Sequence, residues 1–254
     1  MLTVKMDWPT KWAMNAEQPT IVVIIAAGMG SRLTTEDTLP KPLMQVNGRA
    51  LILRVLDRFY EAGITEAVVV TGHRAEEIQQ GILLDNPKNR VQFVFNPNYR
   101  MSNGLSVLAA REVVGNRSFF LSMADHIFES SLIAGLKNIP IPADGLVLAV
   151  DRKLDAIYDE DDATKVKTEN GKIVEIHKEL KEFDAVDTGL FSCTPALFDR
   201  IEAAARTRAD GDCSLSDGVK AMSVSGTALV HDIQYGKWQD VDTPGAVVHA
   251  AKLF

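Results

Sequence analysis

Residues 21–32 read IVVIIAAGMGSR, and residues 38–43 read TLPKPL. An unbroken run of β-branched residues is the mark of a strand covered on both faces, as in parallel sheets flanked by helices. The run ends at Ala26 and Ala27, then turns through Gly28, Met29 and Gly30 to Ser31 and Arg32. Gly28 and Gly30 remove the Cβ atoms from that turn, so backbone N–H groups at the strand's carboxyl end can converge on an anion. Arg32 adds a bidentate charged contact. Pro40 and Pro42 fix φ on either side of Lys41 and hold its ammonium in place. Taken alone, a Gly-x-Gly turn serves equally well as a plain connector. Leu33 stands where a dinucleotide fingerprint needs its third glycine, and no Gly-Lys-Ser/Thr follows, so neither of those phosphate loops fits.

Outward from this loop, short apolar runs alternate with helical patterns. Strands are expected at 66–72, 91–97, 117–125 and 145–152, and helices at 50–63, 75–85 and 104–114. That alternation predicts a mostly parallel, doubly wound, Rossmann-like α/β sheet with right-handed crossovers. After residue 150 the pattern changes. Residues 163–180 read as a hairpin turning at Asn170-Gly171. A strand at 186–193, a helix at 195–206, a strand at 227–233 and a helix at 244–253 follow. The simplest organisation is a leader at 1–19 and one domain at 20–254. Within the domain, 20–150 forms a half that carries the glycine loop, and 151–254 adds a mixed, hairpin-bearing, substrate-facing layer.

The chain of 254 residues carries a net charge of -7, which argues against a general nucleic-acid binder. An anionic ligand must therefore be held by local cations rather than by the overall field. No apolar run reaches the length of a membrane span, and the leader lacks the apolar core of a secretion signal. The two cysteines, Cys193 and Cys213, lie far apart with no metal spacing. A cytoplasmic protein, monomer or homodimer, fits this composition.

Acids recur where such a sheet places ligands. Asp125, in SMADH (122–126), closes a strand on the same edge as the glycine loop. Asp240 and Asp242, in WQDVDTP (238–244), alternate along an extended stretch, so both carboxylates can face one ion. Magnesium takes one or two such carboxylates together with phosphates and water. Each acid could equally cap a strand or helix, Asp242 or Thr243 before Pro244 being a plausible N-cap. With Asp125 facing the ligand, strand alternation turns His126 away from it. Asp187 lies within an apolar strand, where it needs either a lysine partner or the hydroxyl groups of a ligand. Asn103, Gly104, Ser106 and Thr71 are candidates for contacts to a base.

The full string AAGMGSRL…PKPL resembles the nucleotidyltransferases that couple a nucleoside triphosphate to a sugar phosphate, polyol phosphate or phosphocholine. The resemblance implies that Arg32 and Lys41 hold the triphosphate and offset charge at the α-phosphorus. It implies magnesium on Asp125 and Asp240, with Asp242 a further candidate, and a fold of the GT-A kind. It also implies that Lys178, beyond the strand IVEI, contacts the acceptor phosphate, with Lys165 a second candidate. MADH, DATKVKTENGKIVEIHKELKEFDAVDTGLF and WQDVDT look like the cytidylyltransferases that act on inositol 1-phosphate. CTP rather than UTP comes from this resemblance alone. Phosphocholine and sugar 1-phosphates stay open as acceptors, and so does a nucleotide-binding module without catalysis. Phe183, Phe191, Tyr158 and Tyr235 form no evident aromatic cluster in the sequence, which weighs against choline.

Overall fold

The computed structural model describes residues 16–34, 38–85 and 88–254. Most of the expected leader, residues 1–15, therefore lies outside the described residues. The first half runs β1 (Ile21–Ala26), a 3-10 turn at Lys41–Leu43, β2 (Gln45–Val46), β3 (Arg49–Ala50), α1 (Leu51–Glu61), β4 (Glu66–Thr71), α2 (Ala75–Leu84) and β5 (Arg90–Phe95). It continues through α3 (Asn103–Ala109), α4 (Arg111–Val114), β6 (Phe119–Met123), β7 (His126–Phe128), α5 (Ser130–Lys137) and β8 (Leu146–Asp151). The second half comprises β9 (Lys165–Glu169), β10 (Lys172–His177), β11 (Ala185–Cys193), α6 (Ala196–Arg206), α7 (Leu215–Val224), β12 (Ala228–Asp232), β13 (Trp238–Asp240) and α8 (Pro244–Leu253).

Nine strands form one sheet in the order β5-β4-β1-β6-β11-β8-β12-β10-β9. β5, β4, β1 and β6 are parallel, as the alternation of strands and helices requires. β11 enters antiparallel between β6 and β8, and β8 and β12 pair in parallel again. The sheet is thus mixed in its second half, with the 165–177 hairpin at its edge.

Period-two alternation explains the two cores. On β1, Ile21, Val23 and Ile25 face one layer, while Val22, Ile24 and Ala26 face the other. The first layer is closed by α3, α6 and α7, where Phe119 stacks on Phe198 with ring centroids 4.9 Å apart. The second is closed by α1 and α5 around Phe59, Phe120 and Phe128. Burying each such ring contributes roughly 1.5–3 kcal/mol. The helix expected over 104–114 divides at Ala110 into α3 and α4. β7, α5 and α7 were not expected. α7 nevertheless begins at a capping box, Ser214 and Asp217 exchanging hydrogen bonds.

One local feature of β11 shapes the site. β9 pairs with it at Ala185–Val186, and β6 pairs with it at Leu190–Cys193 on the same edge. Residues 187–189 fall in the gap between those two strands, and the register against β8 shifts across the same residues. Gly189 adopts φ +73 there, and a Cβ on it would lie 2.2 Å from His126 Nδ1.

Candidate active site

β1 ends at a sheet edge where β6 and the β7–β13 pair also finish. Gly30 has φ +62, and a Cβ on it would come within 2.7 Å of Lys41 Cβ. Glycine is required there twice, for its backbone angle and for the close approach of the lysine segment. Gly28 lines both cavities of the site, and a Cβ on it would meet nothing within 4 Å among the described residues. Lys41 is buried, on the 3-10 turn begun at Pro40. Its ammonium donates to Asp125 Oδ2 at 2.6 Å and to Asp242. Arg32 donates to Asp162 Oδ2 at 2.6 Å and to Asp242. Gly28, Gly30, Ser31, Arg32, Lys41, Asp125 and Asp242 line a cavity of about 290 Å³, with Ala26 at its base.

The acids are set by a strand pair distant in sequence. β13 pairs with β7 so that Asp240 lies opposite His126, and Val241 N donates to Asp125 O at 3.0 Å. Ligand atoms of Asp125, His126 and Asp240 all lie within 4.8 Å of one another. Asp240 Oδ1 is buried with no hydrogen-bond partner among the described residues. Burial opposes the charge on Asp125, but Lys41 and His126 outweigh it and hold its carboxyl below the usual carboxylate range.

His126 corrects the sequence expectation. It faces the ligand space instead of pointing away, because β6 stops at Met123 and a turn at Ala124–Asp125 resets the alternation before β7 begins. Its Nδ1 donates to the carbonyl of Thr188 at 2.8 Å, inside the β11 gap. Its Nε2 lies 3.5 Å from Asp240 Oδ2 and 3.9 Å from Asp125 Oδ1. Burial alone would lower its pKa, but Asp240, Asp125 and the Thr188 carbonyl raise it to about 9.

A second cavity of about 300 Å³ shares Gly28, Asp125 and Asp242 with the first. On one side it is lined by Asn103 and Ser106 of α3 and by Leu215 and Ser216 of α7. Elsewhere it is lined by Asp162, Lys178, Asp187 and Trp238. Burial pushes the Asp187 carboxyl up to about 6, against the opposing bond from Gly189 N.

These features converge on one reading of the chain, since residues 22–180 match the family described as MobA-like NTP transferase domains. The chain belongs to that family. Among curated proteins, the bifunctional IPC transferase and DIPP synthase of Rubrobacter xylanophilus is 37% identical over 226 residues, covering 87% of this chain and 49% of that one. The protein of the same description from Thermococcus kodakarensis is 32% identical over 235 residues, covering 92% and 50%. The chain thus spans about half the length of the curated relatives it matches. Among solved structures, the inositol-1-phosphate CTP transferase from T. maritima superposes with a TM-score of 0.82, at 23% identity over 94% of this chain and 96% of that one. That likeness is one of fold.

Within this NTP transferase, not every residue singled out from sequence reaches the cavities. Thr71 is buried and its hydroxyl is used toward Val94 O and Gln79, closing the β4–β5 side. Gly104 is a packing residue, since a Cβ there would lie 2.3 Å from Cys213 O. Lys165 turns to Asp161 O at 2.9 Å and over the Phe183 ring, bracing the turn before β9. Asn103 lines the cavity, yet its Oδ1 already accepts from Leu215 N, and Ser106 Oγ accepts from Asn96. Sequence reasoning passed over Asp162, which accepts from Lys178 Nζ at 3.0 Å as well as from Arg32. It also passed over Trp238, whose Nε1 is fixed on Asp151 Oδ2 at 2.9 Å. Of the aromatics named from the sequence, Tyr158, stacked on His249 at 4.7 Å, and the exposed Tyr235 line a cavity of about 230 Å³ together with Trp238, while Phe183 and Phe191 do not.

Proposed function

We propose that this chain transfers a cytidylyl group from CTP to a phosphorylated polyol of the inositol 1-phosphate kind, with magnesium, and releases pyrophosphate. One arrangement carries the reading. Arg32 and Lys41 are ion-paired with Asp242 and Asp125 along the wall of one cavity, and Lys178 and Asp187 line the cavity that adjoins it. CTP and inositol 1-phosphate are named in the description of the T. maritima structure, and the relatives are described as IPC transferase and DIPP synthase.

The chemistry is in-line attack by an acceptor phosphate oxygen on the α-phosphorus of the triphosphate. The new P–O bond forms as the bond to the bridging β-phosphate oxygen breaks. No protein nucleophile is needed, so the protein contributes position and charge. Arg32, Lys41 and the amides around Gly28 and Gly30 bind the triphosphate. Lys178 orients the acceptor phosphate, and Asp187 accepts hydrogen bonds from acceptor hydroxyls. Asp125 and Asp240 fit a hard divalent cation, because the unpartnered Asp240 Oδ1 lies beside an ionised Asp125. Magnesium, when bound, supplies charge that offsets the phosphates.

A second reading, an alkylammonium phosphate as acceptor, draws on Tyr158, Trp238 and Tyr235 around one cavity. Lys153 and Lys237 line the same cavity and oppose a cationic head group, while Asp151 and Asp240 line it too, Asp151 already paired with Lys153. The test is pyrophosphate release with each nucleoside triphosphate against inositol 1-phosphate, phosphocholine and glucose 1-phosphate. Release with CTP and inositol 1-phosphate is expected. Release with phosphocholine alone selects the second reading, and no release with any pair leaves only a binding module.

A further inference from the structure

Asp162 has no part in the reaction above, yet it joins the two halves of the site. Its two oxygens are divided between two cations of different duty: Arg32 Nη1 donates to Oδ2 at 2.6 Å and Lys178 Nζ to Oδ1 at 3.0 Å. Arg32 comes from the loop after β1, and Lys178 follows β10. Like charges converge in this way only where an anion lies between them. The bonds from Arg32 and Lys178 hold the Asp162 carboxyl ionised against partial burial. The supporting turn is tied down by Asp162 N on Asp159 O at 3.1 Å and by Lys165 on Asp161 O. Both cations are half exposed, with side chains 50% accessible, so their pairing to a carboxylate exchanges readily for a better anion. A phosphate offers that anion. It presents more oxygens than a carboxylate and greater charge, and bridges an arginine and a lysine at similar spacing.

We propose that Asp162 is a stand-in for the acceptor's phosphate. It is a positioning residue whose carboxylate holds Arg32 and Lys178 around the place that phosphate takes, and which the phosphate displaces. This rests on the acceptor role of Lys178 proposed above. Asp162 therefore competes with substrate: it keeps the cations aligned and weakens anion binding at the same time. The attacking oxygen then enters beside Arg32, the cation that also holds the triphosphate.

The test uses inorganic phosphate as probe, titrated calorimetrically into the full chain in the presence of EDTA. Asp162→Asn and Asp162→Ser are expected to bind phosphate about tenfold more tightly than the unsubstituted chain, while Asp162→Glu stays within about twofold of it. With acceptor and CTP, the same neutral variants lower the acceptor KM without raising kcat, a split that a scaffold role would not produce. Unchanged or weaker phosphate binding in whichever neutral variant folds overturns the proposal. So does a drop in magnesium affinity in those variants. That drop would make Asp162 a metal ligand beside Asp240 and Asp242, whose oxygens lie within 4.8 Å of its own. The phosphate titration involves neither CTP nor the acceptor alcohol. Failure of the proposed reaction appears separately, as absence of pyrophosphate release.

Discussion

The two sides of the site are built on different principles. The side proposed to hold the triphosphate draws its cations from one stretch: Gly28, Gly30, Arg32 and Lys41 all lie between β1 and β2, and a Cβ on Gly30 would lie 2.7 Å from Lys41 Cβ. The side proposed to hold the acceptor is assembled at a distance. Asp162 and Lys178 flank a hairpin, Asp187 lies in a gap between strands, and Asp240 is delivered by β13 pairing with β7. An assembled site is set by sheet register and can change one contributor at a time.

The largest expected effect tests the seam between the sides. Asp125→Ala and Lys41→Ala each lower kcat by about 10³-fold while circular dichroism stays native, since each removes charge placed at the reacting phosphorus. Near-full turnover in Asp125→Ala would remove the metal assignment and leave Asp125 as a mere counter-ion for Lys41. A smaller effect separates the halves. Lys178→Ala raises the acceptor KM about 10–100-fold and leaves the CTP KM within about twofold. Equal rises in both constants would show that the halves do not bind independently.

The smallest effect is on stability. With its pKa near 6 in the folded chain, against an ordinary aspartate near 4, Asp187 binds an extra proton in the folded state between those values. That contribution is fully present below about pH 4 and lost as the pH rises through about 6, by about 1–3 kcal/mol. Asp187→Asn removes this slope and gains stability at pH 7 while weakening acceptor binding. Urea unfolding at several pH values measures it. An identical slope in both proteins would place the raised carboxyl elsewhere.

The same contrast governs what could be read from the sequence. The β1 run, the glycine turn and Pro-Lys-Pro were legible because their chemistry is punctuated by neighbours in the chain. Asp125 was legible as the end of an apolar run. His126 was misread because alternation does not survive the Ala124–Asp125 turn. Gly104 looked like a ligand contact, yet its missing side chain makes room for Cys213 O, 109 residues further along. Asp162 sits in an acidic run that resembles any solvated turn, and only the fold brings Arg32 to it, 130 residues away. Trp238 is likewise defined by Asp151, 87 residues distant. α7 carried a readable cap in Ser214 and Asp217, but nothing local announces that its first turn walls a cavity.

The interruption beside β11 has an evolutionary corollary. Asp187 and Gly189 line the cavity here, and the Thr188 carbonyl between them is bonded by His126 rather than by a neighbouring strand. The backbone there is held by Asp187 N on Thr164 O and by His126 on the Thr188 carbonyl, and neither bond uses the Asp187 side chain. On the proposed function, selection can therefore retune which alcohol is accepted at this spot, one substitution at a time, while the glycine loop and Lys41 are left untouched.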